Sequence, residues 1–431
     1  MLTLALNLIV TLCTESIGFM HSISLRSALA SESRLIFSTN LRLITAARGW
    51  CNPNGAVLNG LMAVLLTISY SSASLTIFPL HEAGAIMISG FPLLVLGIGL
   101  FLQVAITLAG MLSVKILTWS SSPFDVTAAM LHHTQLTPAS FRCMRGVSDL
   151  GVAEGPTKPS EAQPSAWNAH TSIRKIVLSL WGLVVACAGW AVFVKYKHNY
   201  IPKNPSWSFF DKGNSYAFTQ NIMPVDQIMS AQLWILSFVD IAVVQGPLTL
   251  GLHCSDLIAN VIQNERQWRC ATTKKGLRTS TNPLKALFTN PLGLGLFVVK
   301  PVLHWMFGLA FSLRFWMDTL PGIDVINFCA DMRILNLCIA LLIFACVFTF
   351  AALRPSHGPQ PAAYGHLQTL ANLVDEWSDE MWWGHKEDGV PYCHAGTSNH
   401  PLPDVKMECV YAGSGVMSHP AIPGEESNLE K

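Results

Sequence analysis

Seven mostly apolar runs, each about 20 residues long, constrain this chain more than any other feature. They are Met1–His21, Ala56–Pro79, Met87–Leu112, Ile176–Val194, Gln232–Cys254, Leu292–Leu313 and Ile334–Leu353. A helix of that length crosses the hydrocarbon core of a bilayer and satisfies its own backbone hydrogen bonds there. The expected fold is therefore all-α, a polytopic transmembrane helix bundle of about seven spans. Only 12% of the 431 residues are Asp, Glu, Lys or Arg, about half the share of a soluble protein, so most of the surface is expected to face lipid. The net charge of +1 excludes nucleic acid as a main partner, because binding phosphates needs a concentrated basic surface.

The first run lacks the basic flank and small-residue cleavage site of a secretory signal. It is expected to be a true span, or a span that a longer N-terminus would precede. Arg26, Arg34, Arg42 and Arg48 follow span one. Arg266, Arg269, Lys274, Lys275, Arg278 and Lys285 follow span five. Basic loops stay in the cytoplasm, which puts the N-terminus outside and the C-terminus inside. Lys195, Lys197, Lys203 and Lys212, after span four, vote the other way.

The expected organisation is spans one to three over 1–112, a cytoplasmic and partly disordered loop over 113–175, span four at 176–194, an aromatic-rich outer loop over 195–231, spans five to seven over 232–353, and an acidic cytoplasmic tail over 354–431. The soft stretch is Val147–Ala166, rich in Gly, Pro, Ser and Glu without apolar periodicity. In the tail, Leu367, Leu370, Leu373, Val374, Trp377 and Met381 fall at helical spacing, which predicts an amphipathic helix over His366–Trp383. That acidic helix is expected to dock on the basic loops, on a partner, or on its own tail.

Charged groups within spans are costly and face a cavity or each other. Asp240 and Lys300 lie near the middle of spans five and six, so they are expected to pair. Gln245 and His304 lie close by in sequence; Glu15 and Gln103 are the polar groups of spans one and three. Gly246-Pro247 and Lys300-Pro301 are expected to break their helices, since proline removes a backbone donor. A broken helix beside a buried charge is how midplane sites are built in transporters. The expected binding site is Asp240, Gln245, Lys300 and His304, with Glu15 and Gln103 as further members; a structural ion pair is the alternative. No GxSxG, HExxH or P-loop signature is present, so no enzyme activity and no cofactor are expected. The eleven cysteines show no CxxC spacing, and His394 and His400 near Cys393 do not complete a ligand set, so no metal site is expected.

His21 aligns with His253, Arg34 with Arg266, and Asn52-Pro53-Asn54-Gly55 with Asn290-Pro291-Leu292-Gly293. This gapped match places spans one to three on spans five to seven, with span four between them. Such a 3+1+3 parallel repeat is similar in layout to the sugar-efflux transporters called SWEETs; none of their sequence motifs is present. The stretches Glu15–Gly60, Leu248–Ile262, Gly365–Lys386 (GHLQTLANLVDEWSDEMWWGHK), HAGTS at 394–398 and LPDV at 402–405 resemble a family of polytopic membrane proteins from fungi. That family has no assigned function, so the resemblance gives no residue a role.

Two functional readings follow. One is a transporter moving a small solute or ion through a polar midplane site. The other is a scaffold or receptor-like protein whose tail helix recruits a cytoplasmic protein. Transport predicts that Asp240→Asn or Lys300→Ala abolishes function in a folded protein; the scaffold predicts that deleting Ala363–Lys386 does. The lipid bilayer is the partner common to both, and no organelle is specified.

Overall fold

Each apolar run forms a helix, and two of the helices continue well beyond their runs. The computed structural model describes residues 1–39, 45–80, 85–149, 155–198, 217–225, 231–279, 290–317, 324–331, 333–412 and 419–420. The spanning helices are α1 (Leu2–Ser31), α2 (Ala56–Thr76), α3 (Gly90–Leu112), α5 (Thr171–His198), α6 (Ala231–Arg269), α7 (Pro291–Ala310) and α8 (Ile334–Leu353). All seven are long and apolar enough to cross a membrane. The chain is a multi-pass integral membrane protein.

The lipid-facing side is legible in exposure. Phe91, Leu94, Ile98, Phe101 and Leu108 of α3 point outward, as do Val239 and Val243 of α6 and Ile343 and Phe350 of α8. Inside, α2 presents Ser69, Ser71, Ser72 and Ala73, all fully buried. Small residues let helices approach closely where no hydrophobic force separates helix from lipid, and α2 packs on α1, α3 and α6. Gly110 serves the same end. A Cβ there would lie 3.1 Å from both Asn54 Oδ1 and Ser24 Oγ, two groups that hydrogen-bond each other at 2.9 Å.

The neighbours across the bundle are α2 with α6 and α1 with α7, and α2 meets α7 between them. A two-fold axis exchanging α1–α3 with α6–α8 would generate these contacts, and α5 lies outside that set, packed on α8 and α6.

Both prolines expected to break helices lie inside continuous ones, Pro247 in α6 and Pro301 in α7. Each removes one backbone bond without ending the helix, which a bundle tolerates when neighbouring groups resatisfy the carbonyl. Helix α1 runs ten residues past His21, and α6 fifteen past Cys254. The outer parts of these extensions do not read as spans because they have left the lipid. Leu25 and Leu29 of α1 pack with Val126, Met130 and Leu367, and Trp268 of α6 is fully buried beside Phe124, Leu277 and Trp383.

These contacts define a second layer at one end of the bundle, assembled from the loops after α1, α3 and α6 and from the tail. It contains α4 (Pro123–His132), α9 (Leu367–Leu373), and the strands β5 (Leu277–Arg278), β9 (Glu380–Glu387), β10 (Cys393–Ser398) and β11 (Tyr411–Ala412). The strands form one sheet in the order β11-β10-β9-β5, with β11/β10 parallel and the other pairs antiparallel. At the opposite end, spans are joined by the hairpin β1 (Ile77–Leu80) and β2 (Ala85–Ile88), and by a sheet of β4 (Ala217–Val225), β7 (Asp324–Asp331) and β6 (Phe311–Met317). All the arginine-rich loops thus share one end with the tail.

The tail differs from the helix expected over His366–Trp383. Only α9 is helical, capped by His366 Nδ1 on the Thr369 N–H at 3.1 Å. From Glu380 the chain is a strand, because Trp382 and Trp383 fit a pleated surface and β9 has partners on both sides. Its contact with β5 is the expected docking on a basic loop: Arg278 meets Glu380 at 2.7 Å. Within the stretch Val147–Ala166, residues 147–149 form a turn of 3₁₀-helix and Ala162–Ser165 is strand β3, paired with β8 (Pro355–His357). Residues 150–154 lie outside those described.

Candidate functional site

The charges inside the bundle converge at Lys300, halfway along α7 and 1% exposed. Its ammonium donates to Glu15 Oε1 of α1 at 2.7 Å and to Asp256 Oδ2 of α6 at 2.6 Å. His253, one turn before Asp256, places Nδ1 3.2 Å from the same Glu15 oxygen. One lysine is thus shared by carboxylates from two other helices, with an imidazole beside them. The expected Asp240–Lys300 pair does not form. Asp240 is sixteen residues before Asp256, about 24 Å along a helix, and its sequence neighbour Val239 faces lipid. The flexible stem of Lys300 instead carries its charge toward the end of the bundle where Asp256 lies.

A column of polar groups leads from this cluster into the bundle. His304, one turn beyond Lys300, is fully buried and stacks on Tyr70 of α2, with ring centroids 3.7 Å apart and 15° between planes. Its Nδ1 lies 3.1 Å from Gln245 Nε2, so Gln245 donates. Ser74 Oγ donates to Gln245 Oε1 at 3.4 Å. The Tyr70 hydroxyl lies 3.0 Å from Thr11 Oγ1 and 3.4 Å from Thr14 Oγ1 of α1. The Tyr70 ring also sits 5.8 Å from that of His253. Helices α1, α2, α6 and α7, two from each half, therefore line one polar interior.

Of the six residues singled out in sequence, the structure brings Glu15, Lys300, His304 and Gln245 together. Gln103 stands apart: its Nε2 donates to Ser69 Oγ at 2.9 Å and joins α3 to α2. Asp240 stands apart as described. His253 and Asp256 are members that sequence reasoning did not place. Their signal was the spacing His-x-x-Asp, which puts both on one helix face. Ending the span at Cys254 assigned Asp256 to a loop.

A second polar knot joins α1, α2 and α3 nearer the layer. His21 Nε2 lies 2.7 Å from Asn59 Oδ1, Asn59 Nδ2 donates to the Asn54 carbonyl at 3.0 Å, and Asn54 Nδ2 donates to the Gly110 carbonyl at 3.1 Å. These bonds tie the ends of three helices to one another, which is a structural role.

No protein-family model, curated protein or solved structure matches the chain.

Outside the membrane, the tail holds a group of ion-paired side chains around Asp375. His394 Nε2 donates to Asp375 Oδ2 at 2.9 Å, and Lys386 Nζ donates to the same oxygen at 3.0 Å. The Thr397 N–H donates to Asp375 Oδ1 at 2.6 Å. Burial pushes the Asp375 carboxyl up, but the bonds from His394, Thr397 and Lys386 outweigh it and hold it well below the carboxylate range. The bond to Asp375 raises His394 to about 10, helped by the Cys143 thiol and opposed by burial. His400 is engaged separately, 2.6 Å from Ser398 Oγ.

The sign of the pH dependence follows. A raised histidine contributes fully below its unfolded value of about 6.5, and the contribution fades as pH rises toward its folded value. The depressed aspartate contributes above about 4 and loses its contribution as pH falls. The pair is therefore strongest between about pH 4 and 6.5. Amide-exchange protection of Cys393–Ser398, corrected for intrinsic exchange, is expected to decline from pH 6.5 toward 10, and Asp375→Asn to flatten that decline. An unchanged slope in Asp375→Asn would rule the pair out as its source.

Proposed function

We propose that the protein is a transporter in which a cation is exchanged at the Lys300–Glu15–Asp256–His253 cluster. The observation that carries this reading is a fully buried lysine held by carboxylates from two other spans, where the two halves of the bundle meet. A buried ion pair is weak evidence for stability, because desolvation offsets its attraction. Ionisable groups kept inside a membrane domain mark ion and substrate paths. Charge balance supports the same reading. Lys300 offers one positive charge to two carboxylates, so the three together carry −1, and one further cation neutralises them. Polar groups from Thr11 to Gln245 continue the path into the bundle.

Gln245 and His304 lie farther into the bundle, about one to three helical turns along their helices from the charged cluster. The scaffold reading has the tail helix recruit a partner; α9 is short and packs on α4, so a scaffold would have to use the outer surface of the layer.

Proteoliposomes test the transport reading, with trapped pyranine reporting protons and trapped calcein reporting Mn²⁺. Under an imposed potential, at least one ion is expected to enter faster than into protein-free vesicles, and Glu15→Gln and Asp256→Asn to reduce that rate at least severalfold. Entry no faster than into empty vesicles for both ions, or rates untouched by both substitutions, would refute it.

A further inference from the structure

We infer that Glu15, His253 and Asp256 form a binding site for a divalent transition-metal ion, and that the Lys300 ammonium is its built-in competitor. The inference rests on the transport reading and deepens it by naming the ion.

The three side chains each offer one ligand atom, and these atoms all lie within 4.8 Å of one another. One edge is already 3.2 Å, between Glu15 Oε1 and His253 Nδ1, the separation that two ligands at about 2.0–2.2 Å from one metal ion would have. His253 and Asp256 are three residues apart on one helix, so a single turn fixes two ligands, and α1 supplies the third from across the bundle. Three protein ligands leave positions open on the metal, as in sites that exchange what they bind.

The donor set chooses among ions. Calcium takes six to eight oxygens, and one of these three donors is nitrogen. Imidazole with carboxylates suits the first-row divalent metals from manganese to zinc.

Lys300 places a positive charge 2.7 and 2.6 Å from two of the three ligands, where a metal's charge would fall. The balance is explicit. Two carboxylates and one M²⁺ sum to zero, so the ammonium must swing away on its four-carbon stem or release its proton to water. An independent feature of the interior points the same way. His304 Nε2, on a fully buried ring one turn from Lys300, has no hydrogen-bond partner among the described residues, while Nδ1 on the opposite edge is taken by Gln245. With Nδ1 accepting from Gln245, Nε2 carries the ring proton, and this free N–H can donate to a water carried with the ion.

Mn²⁺ is the probe of choice, since the chain's eleven cysteines would compete for softer metals. Purified full-length protein in detergent is titrated and free Mn²⁺ is followed by electron paramagnetic resonance. His253→Ala and Asp256→Asn are expected to weaken binding roughly 10–100-fold. Lys300→Met, where it folds, is expected to tighten it, and equimolar Ca²⁺ to leave it unchanged. Absence of binding by the wild type, binding unaffected by both ligand substitutions, or equal displacement by Ca²⁺ would overturn the metal site. These outcomes separate from transport: proton entry lost in Glu15→Gln without Mn²⁺ binding sinks only the metal, and Mn²⁺ binding without ion entry sinks only the transporter.

Discussion

Lys300→Met is expected to destabilise the membrane half by about 3–5 kcal/mol, as removal of one partner from a buried ion pair does elsewhere. The lysine is 1% exposed, and its loss leaves Glu15 and Asp256 facing each other without the cation that bridges them. Methionine fills much of the stem's volume, so the penalty is mainly electrostatic. Neutralising a carboxylate at the same time should recover a good part of it. Lys300→Met/Asp256→Asn is expected to be more stable than Lys300→Met alone, and the two substitutions to couple by about 1–3 kcal/mol in a double-mutant cycle. Thermal unfolding in detergent measures all four corners. A neutral Lys300→Met, or additive effects, would show that the three charges do not act together. The same reasoning alters the choice of functional probe: Lys300→Ala confuses lost stability with lost transport, whereas Glu15→Gln and Asp256→Asn keep shape and leave the lysine one carboxylate.

The spans were legible because hydropathy responds to lipid, and α8 has the same bounds in sequence and structure. Hydropathy became blind where helices left the lipid. The ends of both helices, which carry Arg26 and Glu265, are as helical as the rest but are buried by protein, and Asp256, two residues past the apolar run of α6, still lies level with Lys300 inside the bundle. That is why the charged cluster was found with the wrong partner. Depth inferred from hydropathic centres put Asp240 level with Lys300, while the lysine stem reached a residue assigned to a loop. The tail was misjudged for a related reason. Apolar residues at helical spacing over His366–Trp383 mixed a real helix, Leu367–Leu373, with a strand whose alternate residues Met381 and Trp383 enter the same core. Periodicity cannot separate the two when a turn of three to six residues lies between them. Glu15, Lys300 and His304 were recognisable because a charge or imidazole inside a span violates the lipid rule; His253 became visible only when α1 was brought beside it.

Glu265→Ala is expected to loosen the layer while leaving the spans intact. Glu265, 3% exposed on the extension of α6, holds the chain where it passes from α8 into the tail. Its Oε2 accepts from the backbone N–H groups of Ala363 and Tyr364 at 2.9 and 2.8 Å, and its Oε1 from Arg269 Nε at 2.7 Å. The segment needs holding: Tyr364 has φ 49°, in the left-handed region that a bulky residue seldom adopts, and Gly365 follows at φ 75°. Alanine would strand two buried N–H donors, each costing about 1–3 kcal/mol, and leave the Arg269 guanidinium without its carboxylate. The expected total is about 3–5 kcal/mol, confined to α9 and the sheet because the bonds of Glu265 go to Ala363, Tyr364 and Arg269, away from the Lys300 cluster. Trypsin should then cut after Lys386 at least 10-fold faster than in wild type, while exchange protection around Lys300 stays unchanged. Glu265→Gln should fall between the two, since the oxygen of the amide can serve the backbone donors only by turning its NH₂ toward Arg269, donor against donor. Unaltered cleavage in Glu265→Ala would mean that the apolar core around Trp268 holds the layer without this carboxylate; faster cleavage accompanied by loss of protection at Lys300 would mean that the layer and the bundle unfold as one unit.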